Sequence, residues 1–207
     1  DRLKAMYEEA LMVEDVVGLV IGTRPDCMPD VLLNYLEELN KHTFLIVEYG
    51  VESANNNTLE RVKRGHTFEC SRDTLERTHQ RGIKTGAHVI IGLPGEDAKE
   101  SIRQASIMSS LPIDILKIHQ MQIIRGTLLA KTYLEQPFHL YTVDEYLDVI
   151  CEYVKRLRKD LVLERFVSQS PAGLLIAPKW GLKNYEFTNL LVRKMEKEKI
   201  TQGIMSL

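Results

Sequence analysis

Cysteine is scarce in this sequence, with three residues among 207. Cys27, Cys70 and Cys151 lie far apart and are odd in number, so they form neither a disulfide framework nor a cluster with metal-ligand spacing. This excludes a small disulfide-stabilised secreted domain, and a reducing cytoplasm is the expected compartment.

Long apolar runs are also missing. No uncharged stretch reaches the roughly 18 residues that a membrane span needs, and the first residues do not resemble a signal peptide. Lysine and arginine (27) nearly balance aspartate and glutamate (29), which gives a formal net charge of −2. We therefore expect no membrane partner and no wholesale binding of nucleic acid, although a local basic groove is compatible with this balance.

Common nucleotide-binding and hydrolase motifs are absent as well. The segment GLPGE at 92–96 follows a β-prone run, yet it lacks the Lys-Ser/Thr pair of a P-loop and the first two glycines of Gly-x-Gly-x-x-Gly. The sequence holds no Gly-x-Ser-x-Gly elbow and no His-Glu-x-x-His pair. The segment is therefore not a phosphate cradle.

Four apolar, β-branched runs are present, at 16–23, 43–50, 83–92 and 114–124. Their nearly continuous hydrophobicity is typical of strands buried on both faces of a parallel sheet. Helical patterns lie between the runs, around 32–39, at 69–81 and at 97–110. This alternation predicts an α/β fold with right-handed crossovers, either open or barrel-shaped.

The pattern changes after the fourth run. A capping box, TVDE at 142–145, opens an amphipathic helix, and a short strand candidate follows at 161–167. A loop with proline, glycine and tryptophan at 170–184 then leads to a final helix at about 184–199. We predict a mainly helical C-terminal region.

Unusual residues gather where each predicted strand ends, in the segments 22–27, 47–53, 92–96 and 117–127. Ligands of parallel βα folds bind beyond the carboxyl ends of the strands. Glycine and proline that only form turns, with solvated charges, would account for any one of these loops. Four such loops at one edge favour a ligand site there.

Three segments resemble successive motifs of radical S-adenosylmethionine (SAM) enzymes: VEYGVES with TLERVKRGHT at 47–67, GIKTGAHVIIGLPGE at 82–96 and RGTLLA at 125–130. IGTRPD at 21–26 matches the strand before them. The sequence most resembles an uncharacterised bacterial group, which is similar in turn to coproporphyrinogen-oxidase-like enzymes and to the radical-SAM half of the elongator catalytic subunit. The motifs cover roughly residues 1–135, and the C-terminal region also resembles the bacterial group.

The resemblance implies a fold. The chain would hold strands three to six of an incomplete (β/α)6 radical-SAM-type partial barrel within residues 1–135. Residues 136–207 would form a mainly helical extension packed on that barrel. SAM would lie across the carboxyl edge of the strands.

The resemblance also implies which residues bind SAM, namely Glu52, Ser53, Arg64, His88, Gly92, His119, Gln120 and Met121. Glu52 would face the methionine or ribose part, and Arg64 would pair with the cofactor's carboxylate, which a planar guanidinium suits. His88 stands where relatives often carry an acidic ribose ligand, and Gly92 would let the backbone approach the adenine. The backbone from His119 to Met121 would line the adenine.

Several of these residues also have a structural interpretation. Glu52 would cap the short helix that follows it, Arg64 would be a surface cation at the end of that helix, and His88 would be a core histidine. Arg24 and Asp26 are expected to pair with each other and to shape their loop rather than to take part in catalysis.

The defining cluster motif of the family is absent. Radical SAM enzymes hold a four-iron four-sulfur (4Fe-4S) cluster with the thiolates of C-x-x-x-C-x-x-C and leave one iron open for SAM, whereas Cys27, Cys70 and Cys151 lack this spacing. We therefore expect the cluster ligands upstream of Asp1, no metal site in this chain, and no activity from it alone. An exposed edge of the shortened sheet would favour self-association.

The resemblance implies that the full-length parent is an enzyme. It would generate a 5′-deoxyadenosyl radical on an unknown substrate, a small molecule or tRNA, with electrons from a separate donor. Two alternatives are open: a cluster-free (β/α) barrel aldolase or isomerase, with Lys117 and Glu48 as candidates, and a non-catalytic interaction domain. The basic residues of the final helical region are more typical of a solvated helix face than of a phosphate-binding surface.

Overall fold

The computed structural model describes residues 2–206. Its strands are β1 (Gly18–Thr23), β2 (Phe44–Glu52), β3 (Lys84–Ile91), β4 (Ile115–Gln120), β5 (Ile123–Ile124), β6 (Val162–Arg165) and β7 (Leu175–Ala177). Its α-helices are α1 (Arg2–Leu11), α2 (Asp30–Asn40), α3 (Asn56–Arg61), α4 (Phe68–Gln80), α5 (Ala98–Ser110), α6 (Leu128–Glu135), α7 (Val143–Val154) and α8 (Asn184–Glu198).

Five strands form one parallel sheet in the order β1-β2-β3-β4-β6. The predicted α/β fold is confirmed, and each of the four apolar runs coincides with one of these strands, although β2 extends two residues beyond its run. The fourth run differs from the expectation because it breaks after Gln120. The two residues of β5 turn away and pair antiparallel with β7 in a separate small sheet.

The fifth strand comes from the C-terminal region. β6 pairs in parallel with β4, where Ile115 lies beside Val162 and Leu116 beside Leu163. The strand candidate at 161–167 is thereby confirmed. A strand of four residues is too short for its sequence pattern to indicate which strand it pairs with. The place of β6 in the main sheet was therefore not predicted.

Apolar side chains on one face of the sheet form the main core with the helices. Tyr49, Val89 and Ile118 are buried there. The same cluster includes Tyr153 of α7 and Phe187 of α8. The C-terminal helices therefore share one core with the sheet, and burial of this apolar surface is what holds the two regions together.

Side-chain caps begin the helices where the sequence indicates. Thr142 and Glu145 form the predicted capping box at the start of α7. The cap of α3 is Asn55, whose side-chain oxygen accepts a hydrogen bond from the backbone N of Asn57 at 3.0 Å. The alternative in which Glu52 caps this helix is therefore wrong.

The opposite face of the sheet is polar toward its carboxyl edge. Glu48, His88, Lys117 and His119 contact one another there. At the edge of the sheet, β1 leaves Val20 58% exposed, and the self-association expected at this edge stays a prediction. Within residues 2–206, no helix has the length and apolar character needed to cross a membrane.

Candidate functional site

A cavity of about 450 Å³ lies at the carboxyl edge of β2, β3 and β4. Six of the predicted cofactor residues line it: Glu52, Arg64, His88, His119, Gln120 and Met121. Its wall also contains Val62, Ile90, Leu93, Gln122, Ile124, Leu129 and Ser168. Residues far apart in sequence meet here because parallel strands end at one edge of the sheet.

Glu52 and Arg64 form an ion pair in the cavity wall. Arg64 Nη2 lies 3.1 Å from Glu52 Oε1 and donates a hydrogen bond to the carbonyl oxygen of Gly50 at 2.9 Å. Glu52 follows a β-bulge and has a φ of 66°, a left-handed conformation that residues other than glycine rarely adopt. Gly50 makes room for the pair, since a Cβ there would lie 2.3 Å from Arg64 Nη2.

This pair has unused hydrogen-bonding capacity. Burial raises the pKa of Glu52, and the charge of Arg64 offsets that effect only in part. Arg64 Nε is buried and has no hydrogen-bond partner within the described residues. A buried donor without a partner costs roughly 1–3 kcal/mol, so the guanidinium is suited to bind a further acceptor.

A partly buried ion network centred on Glu48 adjoins the cavity on the side of the amino ends of the strands. Lys117 Nζ lies 2.8 Å from Glu48 Oε1 and 2.9 Å from Glu164 Oε1, and His88 Nε2 lies 3.0 Å from Glu48 Oε2. Burial acts to raise the pKa of Glu48, but the hydrogen bonds from Lys117 and His88 outweigh it, so the pKa lies below its ordinary value. Glu48 is therefore a carboxylate at neutral pH.

His88 and His119 stack in the cavity wall, with ring centroids 5.3 Å apart and 22° between the ring planes. Burial, followed by repulsion from His88, Arg165 and Lys117, lowers the pKa of His119 to about 4. The Nε2 atom of His119 is buried and has no hydrogen-bond partner among residues 2–206. The site thus contains a neutral imidazole with one unsatisfied nitrogen.

We expect NMR to show His119 titrating at about 4, well below the roughly 6.5 of an ordinary histidine. Its ring resonance would be assigned by its loss in His119→Gln.

Between the folded and unfolded pKa values of His119, the unfolded chain binds a proton that the folded chain excludes, so stability falls as pH drops through that window. His119→Gln should flatten this fall, and His42→Gln, at an exposed position, should not. A midpoint near the ordinary value would contradict the burial of this ring.

Ser53 and Gly92 do not line the cavity. The buried Ser53 hydroxyl donates a hydrogen bond to Glu96 Oε1 at 2.5 Å and accepts one from the backbone N of Asn55 at 3.0 Å. A Cβ on Gly92, which has a φ of 86°, would lie 3.0 Å from the ring of Tyr141. In this structure the glycine accommodates that ring, and its predicted approach to an adenine stays a prediction.

Gln120 lines the cavity, but its side-chain amide is already engaged. Its Nε2 donates to the Ser168 carbonyl at 3.0 Å and its Oε1 accepts from the Ser168 backbone N at 2.7 Å. Gln122 joins this cluster, since its Oε1 accepts a hydrogen bond from the Ser170 hydroxyl at 2.7 Å. Sequence reasoning missed Ser168, because the pairing of β6 with β4 is what brings the segment after β6 to this edge. It placed Gln122 at the edge only as part of the segment 117–127.

Arg24 and Asp26 pair with each other, as expected. Arg24 Nε and Nη2 donate to the two carboxylate oxygens of Asp26 at 2.9 and 2.5 Å, and neither residue lines the cavity. Among the residues that the structure describes, no group of three or more His, Cys, Asp or Glu side chains is arranged to hold a metal ion.

Two family profiles match this chain. The profile of the radical SAM superfamily matches residues 2–103, and that of the Radical_SAM C-terminal domain matches residues 113–197. The chain belongs to the radical SAM superfamily. The resemblance drawn from its motifs is thereby confirmed.

Relatives of this radical SAM chain match it over most of its length. It is 30% identical over 201 residues to the uncharacterized protein YtqA of Bacillus subtilis, a match that covers 97% of this chain and 62% of YtqA. It is 27% identical over 187 residues to a tRNA uridine(34) acetyltransferase of Methanocaldococcus jannaschii, covering 89% of this chain and 34% of that protein. The chain thus spans less than two thirds of the length of these relatives.

One solved structure has a closely similar fold. The archaeal Methanocaldococcus infernus Elp3 matches this radical SAM chain with a TM-score of 0.81 at 24% identity, over 97% of this chain and 46% of that one. This likeness concerns the fold alone, and it agrees with the predicted radical-SAM-type partial barrel.

Proposed function

We propose that this chain forms the SAM-binding wall of a radical SAM enzyme. The observation that carries the proposal is that two buried nitrogens without partners among the described residues, Arg64 Nε and His119 Nε2, belong to side chains lining one cavity. Buried polar atoms usually have a partner; eleven lack one among the described residues, and these two are the ones whose side chains line this cavity. A cofactor with a carboxylate, a ribose and an adenine supplies acceptors and donors of the kind these residues lack.

Four of the predicted residues then have defined roles in holding the cofactor. Arg64 binds the carboxylate, because its side chain lines the cavity and its positive charge suits a planar carboxylate. Glu52 accepts hydrogen bonds from the methionine or ribose part. The backbone of Gln120 and Met121 lines the adenine, and this does not compete with the side-chain bonds from Gln120 to Ser168.

The residues of this chain do not provide the ligands of the 4Fe-4S cluster. Three thiolates at C-x-x-x-C-x-x-C spacing are absent from the sequence, and Cys151 is buried within α7. We propose that the cluster ligands and an electron donor act from outside residues 1–207 and that this chain alone is inactive. With SAM bound to such a cluster, one electron from the donor would cleave the C–S bond to give methionine and a 5′-deoxyadenosyl radical, which would take a hydrogen atom from the substrate.

The proposed substrate is tRNA, with a small molecule as the other candidate. The likeness to a tRNA uridine(34) acetyltransferase over 89% of this chain supports tRNA. The aldolase alternative is disfavoured by Lys117. Burial acts to lower the pKa of Lys117, but its bonds to Glu48 and Glu164 outweigh burial and raise that pKa, so the amine stays charged and is a poor nucleophile.

Calorimetric titration with SAM tests the proposal, using a pair of glycine variants. A Cβ at Gly50 would lie 2.3 Å from Arg64 Nη2, whereas one at Gly22 has no atom within 4 Å. We expect wild type and Gly22→Ala to bind SAM with a Kd below roughly 1 mM, and Gly50→Ala to bind about tenfold more weakly or worse, because the Arg64 guanidinium is displaced. ATP is the control ligand, because the sequence of this chain contains no phosphate-binding motif for it.

Two results would contradict the proposed function. One is the absence of SAM binding by the wild-type chain at millimolar concentration. The other is equal SAM affinity in both alanine variants while circular dichroism shows that both are folded.

A further inference from the structure

The ring of His88 is held from two sides. Its Nε2 lies 3.0 Å from Glu48 Oε2, and its face stacks on His119. Two such contacts fix both the plane of the ring and which edge points toward the cavity. The function proposed above does not assign a role to either ring nitrogen of His88.

The contact with Glu48 determines which ring nitrogen of a neutral His88 carries the proton. Both oxygens of Glu48 face Lys117 Nζ, at 2.8 and 2.9 Å, so this carboxylate is charged and acts only as an acceptor. His88 Nε2 must therefore be the protonated nitrogen that donates to Glu48. Nδ1 of His88 then carries a lone pair. Of the two ring nitrogens of His88, only Nε2 has a hydrogen bond to another described residue.

The local packing is built around Glu48. A Cβ at Gly86 would lie 2.9 Å from Glu48 Cγ, so this glycine provides the space that the glutamate side chain occupies. A buried ion network is seldom more stabilising than apolar residues of the same volume. Stability alone therefore does not explain why charged residues occupy these positions. A role in orienting His88 does explain it.

We propose that Glu48 is a positioning residue that fixes His88 as the Nε2–H tautomer and thereby makes Nδ1 an acceptor for a hydroxyl or N–H group of the cofactor in the cavity. Lys117 contributes by keeping Glu48 ionised. The identity of the bound molecule rests on the proposed function, whereas the tautomer depends only on the chain itself.

Nitrogen-15 NMR of labelled protein at about pH 8, above the roughly 6.5 at which histidine ordinarily titrates, tests the tautomer directly. The chemical shift separates a protonated ring nitrogen from a bare one, and His88→Gln identifies the resonances. We expect wild type to show a protonated Nε2 and a bare Nδ1. Glu48→Gln, nearly equal in size, should give a mixture of tautomers, because an amide donates as well as accepts.

Glu164→Gln is the matched control. Glu164 shares Lys117 with Glu48 but does not contact His88, so its variant should leave the His88 tautomer unchanged. The affinity for SAM should fall by roughly 2- to 12-fold in Glu48→Gln, the worth of one hydrogen bond, and by less than twofold in Glu164→Gln.

The outcomes separate this inference from the proposed function. A protonated Nδ1 in wild type overturns the inference, and so does equal SAM affinity in wild type and Glu48→Gln, while SAM binding itself survives both results. Failure of the wild-type chain to bind SAM overturns the proposed function and the assigned ligand, and the tautomer would then be judged by NMR alone.

Discussion

Replacing Arg64 with methionine (Arg64→Met) is expected to weaken SAM binding by roughly 10- to 100-fold, the worth of the charge-assisted hydrogen bonds that one guanidinium makes. Methionine retains much of the apolar stem, so the change removes the charged group and little of the packing. Calorimetric titration of wild type and variant with SAM measures the effect.

The same substitution alters Glu52. Its carboxylate would lose the cation 3.1 Å away, and burial, which already raises its pKa, would then act unopposed by that charge. Glu52 should take up a proton at a higher pH in the variant, so the affinity should be measured at two pH values. Arg103→Met is the control, since Arg103 is 54% exposed on α5 and pairs with Glu100. Equal losses of SAM affinity in Arg64→Met and Arg103→Met would show that the charge at the cavity is not what binds the cofactor.

Replacing Lys117 with methionine (Lys117→Met) is expected to lower the free energy of unfolding by about 3–5 kcal/mol at neutral pH, because it leaves the buried carboxylate of Glu48 without its cation. The side chain of Lys117 is 12% exposed and that of Glu48 7% exposed, so the carboxylate that loses its partner is largely shielded from water. Urea denaturation measures the loss.

The pH dependence of this loss has a defined sign. In wild type the pKa of Glu48 is lowered, so its contribution to stability is present above the ordinary carboxyl pKa and is lost as pH falls through the lowered value. In the variant the lowering effect of Lys117 is lost and only His88 opposes burial, so the pKa of Glu48 is higher than in wild type and less of its stabilisation is present at neutral pH. The difference between the proteins should therefore shrink on acidification.

Two further proteins make this test specific. The double variant Glu48→Gln, Lys117→Met should recover most of the stability, because no isolated charge remains. Lys84→Met removes a lysine that is 54% exposed and lies 3.6 Å from Asp114, and it should cost less than about 1 kcal/mol. A single variant at position 117 with near wild-type stability at neutral pH would mean that the network does not hold Glu48 as a buried carboxylate.

The sequence was sufficient for the parts of the fold that depend on local pattern. Continuous apolar runs predicted the four strands β1 to β4, and Thr142 with Glu145 predicted the start of α7. It was not sufficient for β6, because four residues with alternating burial carry no signal of their partner. The antiparallel pairing of β5 with β7 was missed for the same reason.

The same distinction between local pattern and tertiary contact applies to the candidate site. The motifs pointed to Glu52, Arg64 and His88, which follow one another along the chain at the edge of β2 and β3. The contact of Lys117 with Glu164 depends on the register between β4 and β6, which no local pattern encodes. The ring of Tyr141 next to Gly92 depends likewise on how the loop before α7 packs.

The order of the strands across the main sheet repeats their order in the chain. From β2 onward, each strand of this sheet therefore follows its neighbour in synthesis, and the sheet can grow from one side without waiting for a distant segment. Lys117 arrives with β4 and at first has only Glu48 to pair with, because Glu164 follows with β6. Ser168, which closes the cavity beside Gln120, follows β6 in the chain, so the binding wall is completed only after all five strands of the main sheet have been made.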